Sequence, residues 1–331
     1  MICLPLSTGN YSYFYRLCTI KFFIYQASSP AINFEGVSFV DTILECCAGI
    51  DVHRDILQVC ILKGTSDTPT AIRGEFKAMQ DDLQNMVSWF IKNECYHIAM
   101  ESAGVYWKPV YEAIERYHVY CQTLMVVNAY HMRNVPGRKS DVKDAEWIPF
   151  LLRCGLLRPS FVPDKTTRTL REYSRLYKSF TWEKARYMNR IEKFLQIHGF
   201  KLSSVLSSIF TQSGRALLTK LIEKGYLQLP DVQDSLNKGV KKSSEEIHLA
   251  IKGELNLYER KLLKTLLGKV EQIEEEIKNI LALMQEVACI YSSEIEQLDS
   301  IPGIDVLAAT TIIAEISAQP KKHFDSSEKL C

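Results

Sequence analysis

Short apolar runs separated by turns make up the chain from residue 46 to residue 127, and they restrict the folds that this part can adopt. The runs CCAGIDV and ILQVCIL are joined by His53, Arg54 and Asp55, a spacing that predicts a β-hairpin. A further strand is predicted over residues 73–76. This part of the chain therefore begins with a meander of strands.

Helices alternate with strands after this meander. The segment HIAME predicts a short strand, residues 105–117 predict a helix, and residues 119–127 predict a buried strand. Strands first and then a βαβ unit predict an α/β fold with a mixed sheet. A first amphipathic helix is predicted over residues 81–92, with an apolar face of Leu83, Met86, Val87 and Phe90.

Long helical patterns replace the strands beyond Pro136 and Gly137. Residues 141–154 and 165–198 fit helices, and the second helix is strongly basic. Residues 151–200 contain 11 Lys and Arg against 4 acids, although the whole chain, with 40 basic and 39 acidic residues, has a net charge of only +1. This segregation keeps nucleic acid open as a partner.

Apolar residues recur in steps of three and four over residues 254–287, as in a coiled coil. Such a helix can pack on its own domain, form a hairpin with a neighbouring helix, or join two copies of the chain. The seam consists of Leu255, Tyr258, Leu262, Leu266, Val270, Ile273, Ile277, Ile280, Met284 and Val287.

Length and composition exclude several classes of protein. A length of 331 residues and an apolar share of 47% are typical of a globular protein of roughly two domains. The ten cysteines form no zinc-ligand spacing, so we expect reduced thiols in a cytoplasmic protein. No apolar run reaches the roughly 18 residues that a membrane helix needs.

Four carboxylates form the first candidate site. Asp51 in GIDVHRD and Glu101 in AMESAG lie at the ends of apolar strands, where a carboxylate is unusual. Asp141 and Asp144 in KSDVKDA share one face of a helix that can pack across the sheet. Each acid alone has an ordinary explanation as a cap or turn residue, but the set of four favours a site.

Such a cluster also indicates its ligand. Carboxylates repel one another unless a cation neutralises them, and hard oxygen ligands select Mg²⁺ or Mn²⁺. Two such ions would suit in-line attack on a phosphodiester. We therefore expect the four acids to be both catalytic and metal-binding.

Four segments together resemble a known family: GIDVHRD, AMESAGVYW, NVPGRKSDVKDAEW and LDSIPGIDVLAATTIIAEI. They are similar to the DEDD insertion-sequence transposases of the IS110 family, which are bridge-RNA-guided serine recombinases. The resemblance runs from about residue 46 to residue 331. It implies a RuvC-like domain of the RNase H fold whose acidic tetrad, Asp51, Glu101, Asp141 and Asp144, binds Mg²⁺.

The resemblance also implies the domain order. Residues 1–44 are an atypical leader, and residues 45–160 form the RuvC-like domain. Residues 161–290 form a basic helical and coiled-coil region. Residues 291–331 begin a helical transposase domain, whose PGI segment resembles a helix-hairpin-helix turn.

DNA, a structured guide RNA and a homo-oligomer through the helix at residues 254–287 are the partners that the resemblance implies. The basic residues would contact the nucleic-acid backbone, where each neutralised phosphate makes binding more sensitive to salt. The turn at Gly303 would present backbone amides to a phosphate. The candidate nucleic-acid-binding residues are Arg138, Lys139, Arg168, Arg171, Arg175, Lys178, Lys184, Arg186, Arg190 and Gly303.

Two departures from the family pattern concern the ends of the sequence. The family's nucleophilic serine lies further downstream, and Ser317, Ser326 and Ser327 do not match its context, so we assign no nucleophile and expect a truncated domain. The composition of the leader suggests that translation starts at Val37 or Val40.

These features predict a bacterial transposase that cuts and rejoins DNA with a Mg²⁺-bound acidic site, and that is inactive alone if the serine is missing. One alternative is a RuvC-like junction resolvase or nuclease that uses the acids alone, through a metal-activated water. Another is a non-catalytic remnant that binds nucleic acid through its basic helices.

Overall fold

The computed structural model of the protein describes residues 44–65, 69–102, 104–133, 144–324, 326 and 328, without the side chain of Asp144. The chain forms two compact units, which meet in sequence between Ser160 and Phe161. The leader predicted for residues 1–44 lies outside the described residues, apart from Leu44. The first unit is built on a sheet and the second on helices.

Five strands form one mixed sheet in the first unit: β1 (Cys46–Val52), β2 (Ile56–Lys63), β3 (Thr70–Lys77), β4 (His97–Glu101) and β5 (Thr123–Val127). Their order in space is β3-β2-β1-β4-β5. The pairs β1/β2 and β2/β3 are antiparallel, whereas β1/β4 and β4/β5 are parallel. The predicted α/β fold with a mixed sheet is therefore confirmed.

The predicted hairpin joins β1 and β2. Its turn is closed by the His53 amide, which donates to the Ile56 carbonyl at 3.2 Å. In the register that follows, Ile50 lies opposite Val59, and both are buried. Successive residues of a strand point to opposite faces, so an almost unbroken apolar sequence such as CCAGI indicates a strand that is covered on both faces.

Helices cover the sheet of the first unit. They are α1 (Gln80–Lys92), α2 (Trp107–Tyr117), α3 (Ala129–Arg133) and α4 (Asp144–Arg153). Helix α1 buries the four apolar residues that its sequence pattern predicts. Strand β5 begins at Thr123, four residues later than predicted, because residues 119 and 120 form a turn. Helix α4 packs on β1, β2 and β4.

The second unit is helical. Its helices are α5 (Lys165–Ile197), α6 (Gln212–Lys224), α7 (Leu229–Ser235), α8 (Ser244–Ala250), α9 (Leu257–Ala288), α10 (Ser292–Asp299) and α11 (Val306–Ile316). Helix α5 begins where the Asp164 side chain accepts a hydrogen bond from the Thr167 amide. Helix α9 begins with a capping box, in which Asn256 and Glu259 each bond the other's backbone amide. Both caps satisfy amides that a helix start leaves without partners.

Helix α9 packs along α5, so its apolar seam is used inside the unit. The observed seam differs from the predicted one in the first half of the helix. Tyr258 and Leu262 are 80% and 52% exposed, whereas Leu263 and Leu267 are buried. The reason is that this half also packs against α6 and α8, which lie on another side of α9 than the pattern alone indicates.

Two apolar clusters hold the helical unit together. One lies around α6 and α8 and includes Leu217 and Ile247. The other joins α5 and α9 to α10 and α11, through residues such as Leu170, Met284 and Ile313. The described helices on either side of residue 290 therefore share one core, and a dimer through α9 would have to use its exposed residues. The homo-oligomer stays a prediction.

Candidate functional site

Asp51 lies at the carboxyl end of β1. Its side chain is only 13% exposed, although a carboxylate is costly to bury without partners. One carboxylate oxygen, Oδ2, lies 3.2 Å from Nε2 of His53, a ring that is 64% exposed. Because side chains two residues apart lie on the same face of an extended strand, the imidazole and the carboxylate meet at the edge of the sheet.

Glu101 lies beside Asp51. Strands β1 and β4 are parallel, with Gly49 opposite Ala99 and Ile50 opposite Met100. The next position along each strand is Asp51 and Glu101, so the two acids are neighbours on one face, across a strand spacing of about 4.8 Å. The predicted meeting of these two carboxylates is a consequence of the parallel register.

Helix α4 packs on the same face of the sheet. A Cβ atom added to Gly49 would lie 2.2 Å from Cδ of Pro149 and 2.7 Å from Cβ of Ile148. Gly49 and Asp51 are two residues apart on β1, so they point to the same face. The glycine thus permits the close approach of the helix to the face that carries the acids.

Helix α4 runs antiparallel to β1. At its end, the Arg153 guanidinium donates to the carbonyl of Leu44, just before β1, at 3.3 Å. In its middle, the Cys47 thiol donates to the Pro149 carbonyl at 3.2 Å. Its first residue, Asp144, therefore lies toward the end of β1 that carries Asp51. From Pro149, which lies over Gly49, back to Asp144 the helix axis rises about 7.5 Å. From Gly49 to Asp51 the strand covers roughly 6.6 Å, so the start of α4 and Asp51 lie at a similar level along β1.

An ion pair joins the first turn of α4 to the sheet. The Arg73 guanidinium on β3 donates to the Glu146 carboxylate at 2.7 Å. This contact raises the pKa of Arg73, because the hydrogen bond to Glu146 favours its charged form. Glu146 is two residues beyond Asp144, so the pair helps to locate the start of the helix.

Two of the four candidate acids are not covered in full. Asp141 lies outside the described residues, and so does the side chain of Asp144. Among the side chains that are described, no group of three or more His, Cys, Asp or Glu could hold a metal ion. The described part of the candidate site is therefore the neighbouring pair Asp51 and Glu101.

The basic residues at the start of α5 contact other parts of the helical unit. Arg171 donates to the carbonyls of Ala314 at 2.9 Å and Glu315 at 2.7 Å, at the end of α11. Arg175 donates twice to the Glu315 carboxylate, at 2.9 and 2.8 Å. Arg168 donates to a backbone carbonyl just before the helix. These contacts give the three residues a structural role, and their contact with nucleic acid stays a prediction.

The basic residues further along α5 are more accessible. Lys178, Arg186 and Arg190 are exposed. Lys184 is partly buried, with its ammonium 3.9 Å from the Glu274 carboxylate. The exposed cations follow one another on the outer face of the helix, while Leu170, Ile191 and Leu195 of α5 are buried. Contact of all four with nucleic acid is likewise untested.

The remaining candidates lie elsewhere. Arg138 and Lys139 are outside the described residues. Gly303 forms the turn between α10 and α11 with a φ of 91°, which favours glycine. In the first turn of α11, the Ala308 amide already donates to the Asp305 carboxylate at 2.7 Å. A negative charge thus occupies this helix start, which opposes a phosphate there.

Residues 48–199 match the sequence model of the IS110-type DEDD transposases, whose description is "Transposase". Over this region, a little under half of the chain, the sequence is similar to that transposase family. The matched region contains the four candidate acids and the whole of α5. The recognition made from the sequence motifs is thereby confirmed.

Other comparisons add little to this assignment. No curated protein matches this chain. A crystal structure of Archaeoglobus fulgidus Pelota is similar at 11% identity, over 75% of this chain and 69% of its own, with a TM-score of 0.24. A likeness this weak carries no argument about fold or function. Within the described part of the chain, no helix has the length and apolar character needed to cross a membrane.

Two described residues, His53 and Trp182, were not among the candidate site residues predicted from the sequence. His53 was assigned only to a turn, although its spacing from Asp51 places both on one face of an extended strand. Trp182 is 63% exposed on α5, four residues from both Lys178 and Arg186. Spacing of four residues on a predicted helix is the signal that could have found it.

Proposed function

We propose that this transposase cuts and rejoins DNA with a divalent metal held by Asp51, Glu101, Asp141 and Asp144 in a RuvC-like domain. The strand order supports the RNase H type of fold, since an antiparallel meander of three strands is followed by two parallel strands on the side of β1. DNA and a structured guide RNA are the proposed partners, and the cytoplasm is the proposed location.

One observation carries the proposal: Asp51 and Glu101 lie side by side at the edge of the sheet toward which the first residue of α4 is directed. Two carboxylates at neighbouring positions repel each other, and a cation between them relieves the repulsion. Packing at Gly49 fixes α4 on this face. Asp51 and Asp144 are thus 93 residues apart in sequence, and α4 nevertheless begins toward the edge of the sheet that carries Asp51.

The donor set fits a hard cation. The four side chains offer only carboxylate oxygens, which suit Mg²⁺ or Mn²⁺. Such an ion, when bound, polarises a phosphodiester and stabilises the charge that develops on its oxygens. The protein's contribution is to hold the acids: β1 and β4 position Asp51 and Glu101, and the Arg73 to Glu146 ion pair locates the start of α4.

Metal binding and DNA cleavage test this proposal together. Mn²⁺ binding is measured by calorimetry, and cleavage is followed on a labelled four-way DNA junction and a supercoiled plasmid. We expect Asp51→Asn and Glu101→Gln each to weaken Mn²⁺ binding by more than about 100-fold, because even residues behind a metal ligand change affinity by about 10- to 100-fold. Any cleavage by the unaltered chain should fall with it. Asp55→Asn is the matched control, since Asp55 is an 82% exposed acid in the adjacent turn.

The outcomes separate this proposal from its alternatives. Equal metal affinity in Asp51→Asn, Asp55→Asn and the unaltered chain would contradict the acidic site. Metal-dependent cleavage that leaves no protein attached to DNA, with no rejoined product, would favour a nuclease. Nucleic-acid binding without cleavage, unchanged in Asp51→Asn, would favour a non-catalytic binder.

A further inference from the structure

The outer face of α5 carries a stripe of basic residues around an exposed tryptophan. The stripe, named here the α5 stripe, consists of Lys178, Trp182, Arg186, Arg190 and Lys193. Steps of three and four residues keep side chains on one side of a helix. From first to last the stripe covers about 22 Å along the helix axis.

The α5 stripe itself contains no acid. The two acidic residues of α5 between Lys178 and Lys193 are Glu183 and Glu192, and both are half-buried. All five members of the α5 stripe are exposed. The stripe therefore presents a positive surface along its length, which fits an anionic partner.

Trp182 differs from the other tryptophans of the chain. It is 63% exposed, whereas Trp147 is buried and Trp89 and Trp107 are half-buried. The ammonium of Lys178 lies 5.2 Å from the centre of its ring. Ser179 and Ala185, three residues before and after Trp182, are small and exposed.

We propose that the α5 stripe binds an unpaired strand of nucleic acid, with Trp182 stacked on a base and the four cations on phosphates. An aromatic ring between cations favours this ligand, because bases stack on aromatic rings and phosphates pair with Lys and Arg. A duplex hides the faces of its bases inside the stack, so Trp182 would add little to duplex binding. This inference deepens the proposed function, on which it rests for the nucleic-acid ligand.

A second copy of this chain is the other occupant to consider. Two copies joined through the α5 stripe would bring eight cations together, and the stripe itself contains no acid to pair with them. Like charges at such a contact oppose association. The charge of the stripe therefore favours nucleic acid over self-association.

The test compares strands with and without pairing. Fluorescence anisotropy measures the binding of the full chain to labelled 20-nucleotide DNA and RNA strands and to the matching DNA duplex, all in EDTA. We expect Trp182→Ala to weaken binding of a single strand by about 5- to 140-fold and binding of the duplex by less than about 2-fold. Comparison of the DNA and RNA strands shows which of them the site prefers.

Four further variants make the test specific. Trp182→Phe keeps an aromatic ring, so it should recover much of the lost affinity if stacking is the cause. Tyr258→Ala removes an exposed aromatic ring from α9 and should leave strand binding unchanged. Lys178→Ala and Arg186→Ala should each make binding to the strand less sensitive to salt, by a slope of about 0.7.

Tryptophan emission supplies an independent reading. A single strand should quench the emission of the unaltered chain, and the quenching should shrink in Trp182→Phe. Equal effects of Trp182→Ala on strand and duplex, or no effect on either, would overturn the proposal. A change from dimer to monomer in Trp182→Ala at constant strand affinity would assign the stripe to self-association instead.

Failure of this inference is distinguishable from failure of the proposed function. Binding in EDTA does not depend on the metal, so Asp51→Asn should bind the single strand as the unaltered chain does. If Asp51→Asn loses cleavage but still binds the single strand with normal affinity, the metal site and the strand-binding stripe are each supported separately. Normal cleavage with unchanged strand binding in Trp182→Ala would remove only the inference.

Discussion

The acidic edge of the sheet and the α5 stripe bring charged residues together in opposite ways. Asp51 and Glu101 are 50 residues apart and meet only because β1 and β4 pair in a parallel register. Lys178 and Arg186 are neighbours through the period of one helix. The first site therefore depends on tertiary packing, and the second survives wherever its helix forms.

The same substitution in the two units should have opposite effects. Gly49→Ala places a methyl group 2.2 Å from the Pro149 ring, so α4 must move, and we expect the sheet unit to lose about 1–3 kcal/mol of stability. Gly268→Ala adds a methyl group with no atom within 4 Å, inside α9. It should stabilise the helical unit by about 0.5–1 kcal/mol, because alanine favours helix over glycine.

Hydrogen exchange reports the two units separately and checks this pair of variants. Faster exchange in β1 and α4 of Gly49→Ala, with weaker Mn²⁺ binding, is the expected result. Unaltered exchange in that variant would show that α4 does not approach the sheet at Gly49 as described.

Arg171 and Arg186, two arginines of α5, should differ in their contributions to stability and to binding. Arg171→Met removes the donors to the Ala314 and Glu315 carbonyls and should destabilise the helical unit by about 1–3 kcal/mol. Arg186→Met should change stability by less than about 0.5 kcal/mol, because its side chain is exposed. Urea unfolding followed by circular dichroism measures both. Binding of single-stranded nucleic acid should weaken only in Arg186→Met. Equal losses of stability in the two variants would contradict the structural role of Arg171.

The smallest predicted effect concerns thiol reactivity. A hydrogen bond from Cys95 is the main cause that lowers the pKa of Cys46 to about 7, and nearby Lys63 adds to it against the effect of burial. Burial raises the pKa of Cys47 to about 12. Since thiolates react and thiols do not, alkylation of Cys46 by iodoacetamide should rise with pH through about 7, whereas Cys47 should stay unreactive.

Mass spectrometry of tryptic peptides measures this profile, with Cys289 as the exposed thiol of the helical unit. The variant Cys95→Ala removes the hydrogen bond and should move the Cys46 profile to higher pH. A profile that does not move in Cys95→Ala would show that another group lowers the pKa.

The sequence predicted the parts of the fold that depend on local patterns. The hairpin around His53, helix α1 with its buried face and the start of α5 at Lys165 all agree with the structure. A turn, the period of a helix and a helix cap each depend on residues that are close together in sequence. This is why the sequence could predict them. The family motifs were equally local, and the match over residues 48–199 confirms the recognition.

Features that depend on distant contacts were not predicted in full. Tyr258 and Leu262 fit the seam of α9 by their spacing, yet α6 and α8 draw Leu263 and Leu267 into the core instead. The basic count of α5 did not show that Arg171 caps α11 from inside the unit.

The sequence by itself determined which residues are acidic, basic or apolar and where strands and helices form, because these depend on neighbours a few positions away. Only the tertiary structure decided which of them meet. The parallel register brings Asp51 beside Glu101, the missing side chain of Gly49 admits α4, and the packing of α5 leaves Trp182 exposed. Each of these depends on contacts between residues far apart in the chain, which no local pattern specifies.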